Sequence, residues 1–415
     1  MQLLISNLRQ LVTVHSSGKP FKSGKEMRDL GVIEQASVLI ENGHISWIGN
    51  ASDFSNTLEP DADVLDASPY VGLPGFVDSH THALFGGHRE NEFALRSEGK
   101  TYQEIASQGG GILSTVQATR TATKKELKKA ASRRLDAMMK HGTTTVEIKS
   151  GYGLSEESEI KMLEAISELA DEHFMTIRST FLGAHAIPPE FRDRRTDYID
   201  LLCERMLPHI AKRKLAQFCD VFCELGYFSL EETQHILEKA RSHGLALKLH
   251  ADEFNSIGAT QLAAKLRAAS VDHLEHISDD AMGQLRQGTT IAVVLPGVSF
   301  FLRNPYAPAR KMIDAGIPVA IASDFNPGSC MSFSMPMMMT IACTQMSMTP
   351  EETITASTLN GAAAIGLSDQ VGSIEVGKRA DIILFEIPNY QYLPYHFGAN
   401  LVSKVIKNGT ILEFP

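Results

Sequence analysis

The sequence predicts an α/β chain, a (β/α)8 barrel of the TIM type with a small β-sandwich domain formed by the N- and C-terminal segments. Between about Pro74 and Gly366, short apolar runs alternate with helical patterns, which is the signature of parallel strands joined by crossover helices. Outside that stretch the pattern changes to strands and tight turns at both ends. The chain has 415 residues, enough for a barrel of ordinary size plus one smaller unit. The expected division is 1–73 with 367–415 for the composite β unit and 74–366 for the barrel.

At the N-terminus, LLISNLRQLVTV, ASVLIENGHISWIG and DVLDASPYVGLPG read as strands, with Asn42-Gly43 as a hairpin turn. Eight barrel strands are expected at GFVDSHTH, TTTVEIKS, TIRSTFLGAH, FCDVFCE, LALKLHADE, SVDHLEH, TIAVVLP and PVAIASD. Helix starts are marked between them. Ser229 with Glu232 and Thr349 with Glu352 form capping boxes, and Pro350 takes the first helical position. After Ser155, the residues Met162, Leu163, Ile166, Leu169 and Ala170 recur at helical spacing and define a packing face. Strands return in VGSIEVGKRADIILFEI and LVSKVIKNGTILEF, where Asn408-Gly409 marks a second tight hairpin. Chain ends commonly lie close together, so both terminal segments are assigned to one β unit.

Composition narrows the function. With 39 Lys plus Arg against 49 Asp plus Glu, the net charge of −10 argues against a broad nucleic-acid or anionic-membrane surface. It leaves room for an anionic small molecule, because an arginine inside a pocket acts locally. The five cysteines form no CxxC pair, so neither a disulfide framework nor a zinc ribbon is expected. A leader pattern is missing from MQLLISNLRQLVTV, and no 18 apolar residues run together, so a cytoplasmic location is expected. A homodimer is the expected assembly.

The chemistry concentrates at strand ends. His80 and His82 are two residues apart, which on a strand points both imidazoles to one side. LKLHADEF places His250 at the end of another strand with Glu253 three residues on, and VAIASDFNPG places Asp324 at the end of a third. The C-terminal ends of barrel strands are where such active sites lie. Three imidazoles and one carboxylate suit a single zinc or iron(II) ion, so one divalent metal ion per chain is expected. A bound ion of that kind brings the pKa of its water to about 7, which makes hydroxide the expected nucleophile.

This constellation resembles the amidohydrolase superfamily, whose barrel carries HxH on the first strand, histidines on middle strands and an aspartate on the last. The resemblance covers nearly the whole chain. Within that superfamily, PGFVDSHTHALFGGHRENEF, EIKSGYGL, TFLGAHA, LHADEF, DHLEH and SDFNPGS are similar to the enzymes that open the ring of 4-imidazolone-5-propanoate to give N-formimidoyl-L-glutamate. The resemblance implies His80, His82, His250 and Asp324 as metal ligands. It implies Arg89, Tyr152, His185, Glu253, Asn326, Gly328 and Ser329 as substrate contacts, with Tyr102 a further candidate. Glu253 is the expected proton carrier, His273 the hydrogen-bonding partner of the water or the developing oxyanion, and Asp324 a sharer of the base role. Arg89 would grip the propionate through two parallel hydrogen bonds.

Three rivals stand beside this reading. An aminohydrolase acting on a purine or pyrimidine shares the ligand pattern, but Arg89 and the Tyr152 loop disfavour it. A two-metal site would need a carboxylated lysine, for which Lys149 at the end of TTTVEIKS is the candidate. A non-catalytic barrel scaffold would have no use for the ligands, all of which are present. Gly109-Gly110-Gly111 is read either as a hinge or as a simple loop.

Overall fold

The computed structural model describes residues 2–100, 104 and 110–413. Tyr102 and Gly109 lie outside the described residues. Five strands open the chain: β1 (Gln2–Val12), β2 (Val32–Glu41), β3 (His44–Asn50), β4 (Asp63–Asp66) and β5 (Val71–Pro74). Eight more, β6 (Phe76–Asp78), β7 (Thr143–Lys149), β8 (Thr176–Ala184), β9 (Phe218–Cys223), β10 (Ala246–Ala251), β11 (Ser270–His273), β12 (Ile291–Val294) and β13 (Val319–Ile321), alternate with helices. The chain ends on β14 (Ile382–Phe385), β15 (Val402–Lys407) and β16 (Thr410–Leu412).

The terminal strands form one sheet in the order β16-β15-β14-β5-β1-β2-β3, with β4 paired to β1. Its alternation explains how it both holds itself together and docks. Ile382 and Leu384 of β14 join Ile5, Leu8, Val38 and Ile40 in a small core of the sheet's own. The intervening Ile383 and Phe385 pack into the large apolar core shared by the barrel strands and their helices. Both hairpin turns form where the Asn-Gly pairs stand: Asn42, Gly43, Asn408 and Gly409 all have positive φ, as a two-residue turn of this hand requires. These turns touch, since a side-chain carbon on Gly43 would collide with the backbone carbonyl of Asn408.

Strands β6 to β13 are all parallel and neighbour one another in chain order. Each expected barrel strand is present. Closure between the first and the last comes from the residues just beyond them. Thr81 bridges Phe325, the His82 N–H donates to the Phe325 carbonyl at 3.0 Å, and the Asp324 N–H donates to the His80 carbonyl at 3.0 Å. Closing the barrel therefore sets His80, His82 and Asp324 side by side. One adjustment to the sequence reading follows, because β6 ends at Asp78 and the two histidines lie in the extended segment beyond it.

Helix starts fall where the sequence marks them. Ser229 and Thr349 cap their helices in reciprocal boxes with Glu232 and Glu352, and Pro350 is in the first turn. Gly111, at φ 83°, leads into the helix Ile112–Thr121. Among the described residues no helix is long and apolar enough to cross a membrane.

Candidate metal centre and active site

Because the strands are parallel, their C-terminal ends share one mouth, and the predicted site residues collect there. His80 Nε2 and His82 Nε2 each lie 3.4 Å from Asp324 Oδ1. The His250 ring is 4.5 Å from that of His80 between centroids, and His273 is 5.3 Å from His250. A tetrahedral ion with bonds of about 2.1 Å separates its donors by about 3.4 Å, so the observed spacing is that of two edges of such a shell. His80 Nε2, His250 Nε2 and Asp324 Oδ1 are buried without a hydrogen-bond partner. Burial foremost lowers the pKa of His80, His82 and His250, which keeps them neutral and able to ligate. A divalent metal fits this donor set.

Beneath the ligands the barrel interior is charged, not filled with the usual branched apolar layers. Register sets Lys248 beside Asp220 and His250 beside Asp272, so the period of two stacks one pair under the other. His80 Nδ1 donates to Asp272 Oδ2 at 2.6 Å, and His250 Nδ1 lies 3.0 Å from Asp220 Oδ2. Asp272 holds the proton on His80 Nδ1 and turns its Nε2 toward Asp324, the usual way a ligating histidine is oriented, and Asp220 stands at the same nitrogen of His250. Lys149 Nζ donates to Asp220 at 2.8 Å and to Glu147 at 3.0 Å, and Lys248 Nζ donates to the Ser79 carbonyl at 3.0 Å.

Lys149, the lysine that a two-metal site would use, is buried between carboxylates. Burial alone would lower the pKa of Lys149, but Asp220, Glu147 and Asp272 outweigh it and raise it. Its Nζ lies 2.9 Å from Glu147 Oε2 and 2.8 Å from Asp220 Oδ2, an environment that favours the ammonium.

Glu253 and His273 face each other across the mouth, with Glu253 Oε2 3.6 Å from His273 Nε2. Burial pushes the Glu253 carboxyl up to about 8, with Glu275 and Asp324 adding to it against the pull of His273. His273 is raised to about 10, since Glu253 and Glu275 overcome the effect of burial. The backbone here is bent out of its strands: Asp252, His273 and Asp324 all have positive φ, a conformation that costs non-glycine residues energy and gathers at functional sites. Glu224, buried at the end of β9, accepts the N–H groups of Phe254 and Asn255 at 2.9 and 3.1 Å and so pins the loop that carries Glu253.

Above the ligands lies a cavity of about 510 Å³. Its wall includes Arg89, Tyr152, His185, Glu253, Asn326, Gly328 and Ser329, together with His82, His250, His273 and Asp324. The His185 ring stacks on His82 at 5.2 Å, and its Nδ1 donates to the Gly151 carbonyl at 3.0 Å, leaving Nε2 an acceptor. Asn326 is largely committed to its own turn. Its Oδ1 accepts the N–H groups of Gly328 and Ser329 at 2.8 Å each, and its Nδ2 donates to the Asp324 carbonyl and Ser329 Oγ, both at 2.7 Å. Arg89 also differs from the simple expectation, because Nε and Nη2 donate to Glu92 Oε2 at 3.0 and 2.7 Å. One edge of the guanidinium is therefore already occupied.

Sequence reasoning passed over Glu92 and Arg96, which also line the cavity, and the buried partners Glu147, Asp220, Lys248 and Asp272. The Arg-x-x-Glu spacing of Arg89 and Glu92 is a signal for the first of these. Nothing local marks the others.

A barrel closed over a cluster of histidines and an aspartate defines a metal-dependent hydrolase class, and the family profile described as Amidohydrolase family matches residues 71–412. An imidazolonepropionase of Parabacteroides distasonis is 50% identical over 412 residues, covering 99% of this chain and 98% of its own. One of Symbiobacterium thermophilum is 48% identical, with 99% and 97% covered. The chain belongs to the amidohydrolase family and, within it, to the imidazolonepropionase family. Among solved structures, a zinc-bound adenosine deaminase from Xanthomonas campestris aligns with a TM-score of 0.73 at 17% identity, covering 99% of this chain and 92% of that one. A triazine hydrolase aligns with a TM-score of 0.73 at 16%, covering 99% and 94%. At those identities the likeness speaks for the fold.

Proposed function

We infer that this chain hydrolyses the cyclic C–N bond of 4-imidazolone-5-propanoate, giving N-formimidoyl-L-glutamate in histidine degradation. The observation that carries this reading is a donor set spaced for one tetrahedral ion, facing a proton-transfer pair and an arginine-lined cavity. Full-length relatives of that name support it.

In this proposal His80, His82, His250 and Asp324 hold the ion. When bound, it supplies an activated water at neutral pH and polarises the ring carbonyl. Glu253 takes a proton from the water as the carboxylate and delivers it to the departing ring nitrogen as the acid. His273 donates a hydrogen bond to the oxygen on which charge develops. His185 and Tyr152 flank the ring, and Arg89 with the turn from Asn326 to Ser329 receives the propionate end.

The ion is zinc or iron, one per chain, and the working unit is a cytoplasmic homodimer. Elemental analysis and sedimentation velocity measure the metal count and the assembly. For the activity itself, freshly prepared imidazolonepropanoate is followed spectroscopically with metal-loaded protein. Loss of the ring absorbance, abolished by chelation and restored by zinc or iron(II), is the expected result, and an unchanged spectrum contradicts the proposal.

A further inference from the structure

Two guanidinium groups converge on one glycine in the cavity wall. A side-chain carbon on Gly328 would overlap the Arg89 guanidinium, so Arg89 packs directly against that residue. From the other side, Arg96 Nη2 donates to the Gly328 carbonyl at 3.1 Å, while its guanidinium lies 5.0 Å over the Phe301 ring. Among the described residues, Glu92 is the carboxylate ion-paired with this cluster. Glu92 takes Nε and Nη2 of Arg89, and the Arg89 and Glu92 side chains are only 12% and 13% exposed. Among the described residues Arg96 makes no ion pair.

Arg89 is paired with Glu92 while Arg96 has no ion-pair partner among the described residues, and Arg96 feels both burial and the nearby Arg89 as costs to its charge. Such an arrangement is relieved by an anion that joins it. Arg89 has already given one edge to Glu92, so on its own it presents little more than Nη1 to the cavity.

We propose that Arg96 is the second arm of the carboxylate clamp, so that the substrate's carboxylate bridges Arg89 and Arg96 over Gly328 while Glu92 limits the pocket to one negative charge. This deepens the function proposed above and rests on it for the identity of the anion. A side-chain carbon at position 328 would displace the Arg89 guanidinium from its place in this clamp.

The test separates the clamp from the reaction. Binding of a stable probe, 3-(imidazol-4-yl)propanoate, and of its neutral carboxamide is measured by calorimetry on the metal-loaded full chain, for wild type, Arg96→Met and Arg96→Lys. Metal content and melting temperature are recorded for each variant. Arg96→Met is expected to weaken the acid about 10- to 100-fold and leave the carboxamide within about twofold. Arg96→Lys keeps the charge without the planar fork and is expected to recover part of the loss. Equal acid binding by wild type and Arg96→Met overturns the proposal, as does a wild type that does not prefer the acid. Parallel losses for both probes also overturn it, because they assign Arg96 to holding the Gly328 turn. Turnover of imidazolonepropanoate by wild type is scored separately, so failure of the reaction and failure of the clamp give different results.

Discussion

Asp272 Oδ2 lies 2.6 Å from His80 Nδ1, and that one bond decides which nitrogen of His80 faces Asp324 and the proposed metal centre. In the variant Asp272→Asn, the side chain can present an N–H to the histidine and favour the wrong tautomer. A metal-oriented histidine that loses its carboxylate typically costs 10- to 100-fold in metal affinity. Asp272→Asn is expected to fall in that range, measured by competition with a chromophoric chelator at pH 7. Affinity equal to wild type would show that Asp272 does not orient His80.

Lys149 carries the interior network. Removing its ammonium leaves Asp220 without its lysine and Glu147 with Lys248, 3.3 Å away, where no solvent reaches. Breaking one partner of a buried pair costs about 3–5 kcal/mol, so Lys149→Met should show a lower denaturation midpoint of that order. Intact-mass measurement of the wild type under carbon dioxide should show no carboxylated lysine. A stable Lys149→Met protein would mean that the carboxylates are protonated in the fold.

Glu253 is assigned to proton transfer and not to ligation. Glu253→Gln is expected to keep its metal and lose about 10²–10⁴ in kcat, the scale of a general acid or base. Elemental analysis alongside steady-state rates checks both halves. Loss of the ion from this variant would make Glu253 a ligand.

Glu375 gives a pH dependence that is independent of the metal. It accepts the Ser16 N–H at 3.0 Å and the Ser373 hydroxyl at 2.6 Å, and Lys378 lies 3.2 Å away, tying the N-terminal strands to the C-terminal segment. Burial alone would raise its pKa, but Ser373, Ser16 and Lys378 outweigh burial and bring it from 4.5 to about 2. Since the folded value lies below the unfolded one, the stabilisation is complete above pH 4.5 and is lost as pH falls through about 2. Urea titrations should find Glu375→Gln weaker than wild type at pH 7 and the gap narrowing below pH 4.5. A gap that does not change with pH would contradict the assignment.

How much of this was legible in the sequence follows from the range of each interaction. His80 and His82 could be paired because the period of a strand is local, and the eight barrel strands could be found from their apolar runs. The two Asn-Gly turns announced the terminal sheet. The partners of the histidines could not be found that way: Asp272 is 192 residues from His80, and Asp220 reaches Lys149 across 71. Only strand order and register bring them together. Arg89 was recognised as a cavity residue, but its partner Glu92 and its neighbour Arg96 were not, because a charged helix near an active site looks like any solvated helix until the facing Gly328 turn is in place.

The most direct test of the central claim is product analysis in H₂¹⁸O with metal-loaded protein and imidazolonepropanoate. Hydrolytic ring opening places one ¹⁸O in the newly formed carboxylate of N-formimidoyl-L-glutamate and releases no ammonia, which is the expected result. Ammonia released in step with substrate consumption, or label in a ring carbonyl with the ring intact, would contradict it.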